Sequence, residues 1–170
     1  MVAVNGIDII WLFRVLDNAG TEAAYRIAFQ TEGELTETRD SDSVPTKDGI
    51  LRVPGQLEVE GSFTAIFSRN DPNEKKLRDA LRDGKKVEFW EIDSANEGTS
   101  TNVGKYEATY YQGYLTERSK SFNAEDHAEI SYSYSMEGKG QDGYATLTAE
   151  QAEVVQYVFK DTTAPAAPVV

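Results

Sequence analysis

Apolar and polar residues alternate cleanly from Gln56 onward, with Leu57, Val59, Phe63, Ala65 and Phe67 on one side and Glu58, Glu60, Ser62 and Thr64 on the other. The same period of two returns in residues 127–137, where Ala128, Ile130, Tyr132, Tyr134 and Met136 alternate with His127, Glu129, Ser131, Ser133 and Ser135. Both stretches predict strands with one packed face and one wet face. Residues 7–16 form an apolar, β-branched run with Trp11 and Phe13 that stops at Asp17-Asn18-Ala19-Gly20, and read as a further strand. Residues 25–29 predict a short strand, and residues 32–39 a polar one supported mainly by its threonines.

The period changes after residue 70. Asp71-Pro72-Asn73-Glu74 supplies a capping residue, a proline at the first helical position and a glutamate at the capping-box position, ahead of Leu77, Ala80 and Leu81. Gly84 supplies the stop, so this segment predicts a helix whose narrow apolar stripe lies on a sheet. Residues 86–93 return to strand, with Val87 and Phe89 on one parity and Trp90 and Ile92 on the other, so both faces are partly covered. Residues 94–102, rich in Ser, Thr, Asn and Gly, predict a surface loop. Residues 103–119 carry Tyr106, Tyr110, Tyr111 and Tyr114 and fit either one bent strand or a hairpin broken near Gly113. Thr148-Ala149-Glu150-Gln151 is a second capping box, and the β-branched run through Val154, Val155, Tyr157, Val158 and Phe159 favours a short helix turning into a strand.

The stretch 40–49 has almost no apolar content and predicts an exposed loop, closed by the Asp48-Gly49 turn pair and too long for a tight hairpin. Seven or eight strands with one or two helices, mostly adjacent in sequence and with no fixed-period repeat, define a mainly β chain: an antiparallel β-sandwich or barrel with one flanking α-helix. The expected organisation is one domain over residues 1–163 with a long loop at 40–54, followed by an extended, flexible tail at 164–170.

Composition narrows the function more than the fold. With 29 acidic and 17 basic residues the formal net charge is −12, which argues against a surface that neutralises phosphates and hence against tight DNA binding. Nine Tyr, seven Phe and two Trp supply more buriable surface than a disordered acidic chain carries. The absence of cysteine removes disulfides, thiolate metal sites and cysteine nucleophiles. No basic region precedes an apolar run at Met1-Val2-Ala3-Val4, and no segment approaches the roughly 18 apolar residues of a membrane span. A protein made and used in the cytoplasm, away from membranes, is the expectation.

Catalytic chemistry finds little support. His127, the single histidine, excludes multi-histidine metal sites, and it falls on the polar side of a strand, where it reads as a surface imidazole. The serines near it lack a Gly-x-Ser-x-Gly elbow. Asp40, Asp42 and Asp48 lack the order of ligands, glycine and closing glutamate that a calcium loop requires, so they read as a solvated loop. Gly138-Lys139-Gly140-Gln141-Asp142-Gly143 precedes no convincing helix and reads as a hairpin turn rather than a phosphate loop. The sequence thus predicts no enzyme, no cofactor and no metal.

Four stretches in order carry a likeness that periodicity does not. They are Arg39-Asp40-Ser41-Asp42 leading to Thr46-Lys47-Asp48-Gly49; Pro54-Gly55-Gln56-Leu57-Glu58-Val59-Glu60; Asp83-Gly84-Lys85-Lys86-Val87-Glu88-Phe89-Trp90-Glu91; and Ala145-Thr146-Leu147-Thr148 through Val155-Gln156-Tyr157-Val158-Phe159. Over most of its length, up to about Thr163, the chain resembles the major tail proteins of siphophages, the tail tube proteins of the lactococcal-phage type. The resemblance implies a β-sandwich with a flanking helix, shared with the tube protein of type VI secretion, that assembles into hexameric rings stacked as the hollow tail tube of a long-tailed phage. It further implies a structural virion protein located in the tail, assembled in the host cytoplasm, with DNA in transit through the tube during ejection. The implied partners are further copies of the chain, a tape-measure protein, a tail terminator and baseplate or distal tail proteins.

Under that resemblance, six copies at −12 each would give a ring near about −72, and a lumen of carboxylates and hydroxyls would repel DNA so that it slides without sticking. Glu58, Glu60, Ser62, Thr64, Glu129, Ser131 and Ser133 are the lumen candidates by shared parity, although alternation alone leaves open whether that wet face is the lumen or the outside. The inter-ring contacts, expected to order on assembly, are the chain termini and the segment 40–54, with Asp40, Asp42, Val44, Pro45, Lys47, Asp48, Leu51 and Val53 as its candidate residues. The rival readings are a secretion-type tube carrying effectors and an acidic carbohydrate-binding sandwich using the tyrosines at 106–114.

Overall fold

Seven strands and one α-helix are present among residues 3–148 and Gln151, the part of the chain that the computed structural model describes. They are β1 (Ile9–Val15), β2 (Gln30–Thr46), β3 (Gly49–Ile66), α1 (Pro72–Arg82), β4 (Lys86–Glu97), β5 (Tyr106–Ser121), β6 (Glu129–Met136) and β7 (Gln141–Ala145). The strands make one sheet in the order β1-β4-β5-β6-β3-β2, with β7 also on β5, and every pairing is antiparallel.

The alternation explains the curl of this sheet. Val59, Phe63 and Ala65 of β3, and Ile130, Tyr132, Tyr134 and Met136 of β6, all join one buried cluster with Trp11, Phe13 and Val15 of β1 and Val87 and Phe89 of β4. Phe13 sits 4.7 Å from Phe63 and 5.5 Å from Phe89, centroid to centroid, while Phe89 and Tyr134 stack at 4.5 Å. Such large rings come together only if the sheet wraps around them. Wrapping brings the edges of β1 and β2 close without a ladder between them. The Gln30 carboxamide bridges the gap, donating to the Trp11 carbonyl at 3.0 Å and accepting from the Trp11 N–H at 3.3 Å. One side chain thus does for Trp11 what a neighbouring strand does elsewhere.

Helix α1 forms as its capping residues require. Asp71 Oδ1 accepts from the N–H groups of Asn73 at 2.9 Å and Glu74 at 3.4 Å, and Gly84 closes the other end at φ +62°. Leu77 and Ala80 are buried in the main cluster. The sequence pattern sends Glu74 back to the cap; instead it crosses to the sheet, where its Oε1 accepts from Arg118 Nη2 at 2.7 Å and Nε at 3.0 Å and from the Tyr132 hydroxyl at 3.1 Å.

Several expectations need correction. The segment 40–49, expected as an open loop, is a regular ladder in which Asp42 faces Val53, Val44 faces Leu51 and Thr46 faces Gly49, leaving only Lys47 and Asp48 in the turn. Strand pairing here satisfies the backbone while both faces stay wet, so no hydrophobic period marks it. For the same reason the long loop at 40–54 is a hairpin arm already paired within one chain. Residues 25–29 are not a strand: Tyr25 makes a single bridge to Phe13, Tyr25 and Ile27 enter the core, and Phe29 turns the chain at φ 58°. Strand β4 runs on to Glu97, into the expected loop.

Residues 106–121 form one strand, which decides between the two readings of the tyrosine segment. A Cβ at Gly113 would lie 2.2 Å from the Ser135 carbonyl oxygen, so glycine there permits close approach of β5 and β6 rather than a break. The glycine-rich stretch 138–143 is likewise no hairpin turn. Both β6 and β7 run antiparallel to β5 along the same edge, Met136 facing Gly113 and Gln141 facing Tyr110, so residues 137–140 are an outward bulge between two parts of one course. The second capping box is made reciprocally, Thr148 N–H to Gln151 Oε1 at 2.9 Å and Gln151 N–H to Thr148 Oγ1 at 3.3 Å. The run 152–159 and the tail at 164–170 lie outside the described residues.

Candidate assembly surfaces

The outward positions of β3 and β6 meet in register. Ser62 faces Ser133, Thr64 faces Ser131 and Glu60 faces Ser135, and the Thr64 and Ser131 hydroxyls are 2.9 Å apart. All seven lumen candidates, Glu58, Glu60, Ser62, Thr64, Glu129, Ser131 and Ser133, therefore share one face. The ladders widen this face on both sides. Glu32, Glu34 and Thr36 of β2 stand opposite Thr64, Ser62 and Glu60, and Glu117 and Ser119 of β5 stand opposite Ser133 and Ser131. These five escaped the sequence reading, although the alternation of Glu32, Glu34 and Thr36 with Leu35 is a visible signal. Across these four strands the face carries carboxylates and hydroxyls with no Lys or Arg at the paired positions.

The β2–β3 hairpin leaves the body of the sheet as an arm. From Arg39 to Thr46 every residue of β2 is exposed, over about 25 Å at the usual strand rise. Val44, Leu51 and Val53 share one side of the arm with Asp42, and all three apolar side chains are exposed. Pro45 and the strongly exposed Ile50 occupy the other side. Asp40 sits at the irregularity between Arg39 and Ser41, while Lys47 and Asp48 form the tip, where Thr46 Oγ1 donates to the Gly49 carbonyl at 2.7 Å. The inter-ring candidates thus line a paired arm with apolar material on both sides.

Above the opposite half of the sheet, Arg14 Nε meets Glu88 Oε2 at 2.6 Å and its guanidinium lies 5.1 Å from the centre of Trp90. The Tyr110 hydroxyl donates to Glu88 Oε1 at 2.7 Å. Tyr110 and Trp90 are therefore committed to a polar network within the chain, and Tyr111 to the core, rather than forming an open aromatic platform. Burial pushes the Tyr111 hydroxyl up to about 12.

Between the edges of β1 and β2 lies a cleft of about 650 Å³, lined by Ile7, Ile9, Trp11, Arg26, Gln30, Leu35 and Glu91 among others. Glu91 is held above the usual carboxylate range, first by burial and then by the nearby Glu37. A raised carboxylate binds its proton more tightly in the folded chain, so its penalty is absent below the unfolded value of about 4.3 and sets in as pH rises through the folded one. Glu91→Gln should raise the melting temperature at pH 7 by about 1–2 °C, with the gain vanishing below about pH 4. Thermal melts of both proteins across that range check it.

His127 is exposed just ahead of β6. Among the described residues no group of three or more His, Asp or Glu side chains is placed to hold a metal ion, so Asp40, Asp42 and Asp48 do not gather as ligands. Among the described residues no helix is long and apolar enough to cross a membrane.

A curled antiparallel sheet with one flanking helix, a continuous hydroxyl and carboxylate face and a projecting hairpin defines a mainly β subunit built on a single sheet. The chain belongs to the phage tail tube protein family, whose description matches residues 3–142. It is 30% identical over 148 residues to the tail tube protein gp17.1* of Bacillus phage SPP1, covering 87% of this chain and 54% of that protein, so it spans about half of that relative's length. It is 32% identical over 163 residues to a tail protein of Staphylococcus phage phiMR25, covering 94% of this chain and 83% of that one. Among solved structures, the SPP1 tail tube superposes with a TM-score of 0.75 at 24% identity over 98% of each chain. The tail of a gene transfer agent particle, refined with C6 symmetry, superposes with a TM-score of 0.60 at 17% identity over 85% of this chain and 100% of that one. These likenesses show the fold.

Proposed function

We propose that copies of this chain form six-membered rings that stack into the hollow tail tube of a long-tailed phage, through which DNA passes into the host. The observation that carries the reading is the four-strand face from Glu32 to Ser119, which unites carboxylates and hydroxyls without a cation. Facing inward, such a wall repels phosphates and offers no counterion release, so DNA moves along it without adhering. Glu58, Glu60, Ser62, Thr64, Glu129, Ser131 and Ser133 are its centre. The sixfold ring is suggested by the C6 symmetry of the gene transfer agent tail. The apolar sides of the arm, bearing Val44, Leu51, Val53 and Ile50, then supply contacts between successive rings. A tape-measure protein in the lumen, terminator and baseplate proteins at the ends, and assembly in the host cytoplasm complete the proposal.

Electron microscopy and sedimentation over a concentration and ionic-strength series test the assembly: rings or hollow tubes are expected, and a strictly monomeric particle under all conditions would overturn it. The orientation of the face has its own test, because the chain contains no cysteine. Ser131→Cys should react with both a small maleimide and a bulky polymer-linked maleimide in the free subunit. In tubes it should react with the small reagent and at least tenfold more slowly with the bulky one, as expected when a narrow channel restricts access. Equal reactivity would put the face outside.

A further inference from the structure

The chain pairs its partly buried cations: Arg14 with Glu88, Arg118 with Glu74 and Lys76 with Glu22. Arg26 departs from that rule. It lies between Tyr25 and Ile27, whose side chains enter the core, and its carbonyl accepts from Asn73 Nδ2 at 2.9 Å, which pins the segment to the start of α1. Its side chain lines the cleft between β1 and β2, and its Nε and Nη1 are shielded from solvent and make no hydrogen bond among the described residues. Glu32 and Glu91 also line this cleft, yet among the described residues no carboxylate comes within ion-pairing distance of Arg26. Two guanidinium nitrogens shielded from solvent without an acceptor among the described residues are unfavourable, and burial accordingly lowers the Arg26 pKa.

The surroundings of Arg26 are those of a receptor. Ile7, Ile9, Trp11 and Leu35 give the cleft apolar walls. Strands β1 and β2 are the two ends of the sheet; Trp11 and Phe13 of β1 already bond Gln30 and Tyr25, so the backbone edge left for another chain beside the cleft is that of β2. We propose that this cleft is a socket for a carboxylate side chain from a second copy of the chain, with Arg26 as the group that receives it. The proposal rests on the tail tube reading, which requires such a neighbour. Charge supports the choice of occupant, because a chain with 29 acidic residues presents carboxylates more than any other charged group.

The socket predicts effects of opposite sign on folding and on assembly. Arg26→Met keeps the length of the side chain and removes its charge. Below the assembly threshold, this variant should melt at or above the wild-type temperature, since an unsatisfied buried charge is gone. Its critical concentration for forming rings or tubes should rise roughly tenfold or more, the loss expected for one charge-assisted contact. Arg26→Lys, which keeps the charge without the planar fork, should fall between the two. Normal assembly of Arg26→Met would overturn the socket and leave the tail tube reading intact. A lower melting temperature or failure to fold would show that the guanidinium serves the subunit itself, which also overturns it. Wild-type protein that forms neither rings nor tubes would remove both.

Discussion

Glu74→Ala should lower the melting temperature by roughly 6–12 °C, the consequence in a chain of this size of losing about 3 kcal/mol. Glu74 is 5% exposed and its Oε1 accepts three hydrogen bonds, two from Arg118 and one from the Tyr132 hydroxyl. Truncation leaves a guanidinium that is 20% exposed and a fully buried phenol facing an alanine, and the phenol has no route to bulk water. Burial first, and the Glu74 charge second, already hold the Tyr132 hydroxyl above its ordinary range, so it stays neutral throughout the physiological window. The effect should be far smaller in Glu74→Leu combined with Arg118→Leu, because removing both charges also removes both desolvation costs. Urea titrations of the single and double variants measure the difference. A single variant within about 0.5 kcal/mol of wild type, the range of ordinary surface changes, would mean that the network is not a structural tie.

That network also marks a limit of sequence reading. The pattern Asp71-Pro72-Asn73-Glu74 correctly predicts where α1 begins, and Asp71 makes the expected cap. Glu74 satisfies the same local pattern but bonds a residue 44 positions away. Local spacing reports what a side chain can reach along its own helix; it carries no information about a cation that only the fold brings near. Arg26 is the converse case, a residue that nothing in its local sequence singles out and whose isolation becomes visible only when its neighbours are placed.

The strands follow a similar division. Where one face is packed and the other wet, as in β3 beyond Leu57 and throughout β6, the period of two was legible and the face assignments hold residue by residue. The parity that puts Glu58, Glu60, Ser62, Thr64, Glu129, Ser131 and Ser133 on one face is therefore visible before any register is known. The hairpin arm has no packed face, so polar residues 40–46 form a strand that alternation cannot reveal. The turn pair Asp48-Gly49 was the one usable signal, and it did locate the bend. The bulge at residues 137–140 was illegible for another reason. Glycines permit a turn or a bulge equally well, and the choice depends on whether the next strand returns along β6 or continues along β5.

Val44→Ser with Leu51→Ser should leave the subunit stable and raise the critical concentration for tubes about a hundredfold, corresponding to about 3 kcal/mol of lost apolar burial. The two residues face each other across the ladder, and they are 44% and 56% exposed in the single chain. About half of their surface stays exposed and neither belongs to the main core cluster, so replacing them should change the melting temperature by only about 2–4 °C. A two-stranded arm with wet faces is only marginally favourable by itself. Keeping Val44, Leu51 and Val53 on one side and Ile50 on the other makes sense where both sides are covered, which in a tube is the work of neighbouring subunits. Serine avoids adding charge to a chain already at −12, so electrostatic repulsion cannot account for the loss. Sedimentation and electron microscopy at matched concentrations decide the matter. Undiminished assembly would remove the arm from the ring contacts and leave the free edge of β2 beside the cleft to carry them, whereas a variant that melts early would show that the pair stabilises the arm itself.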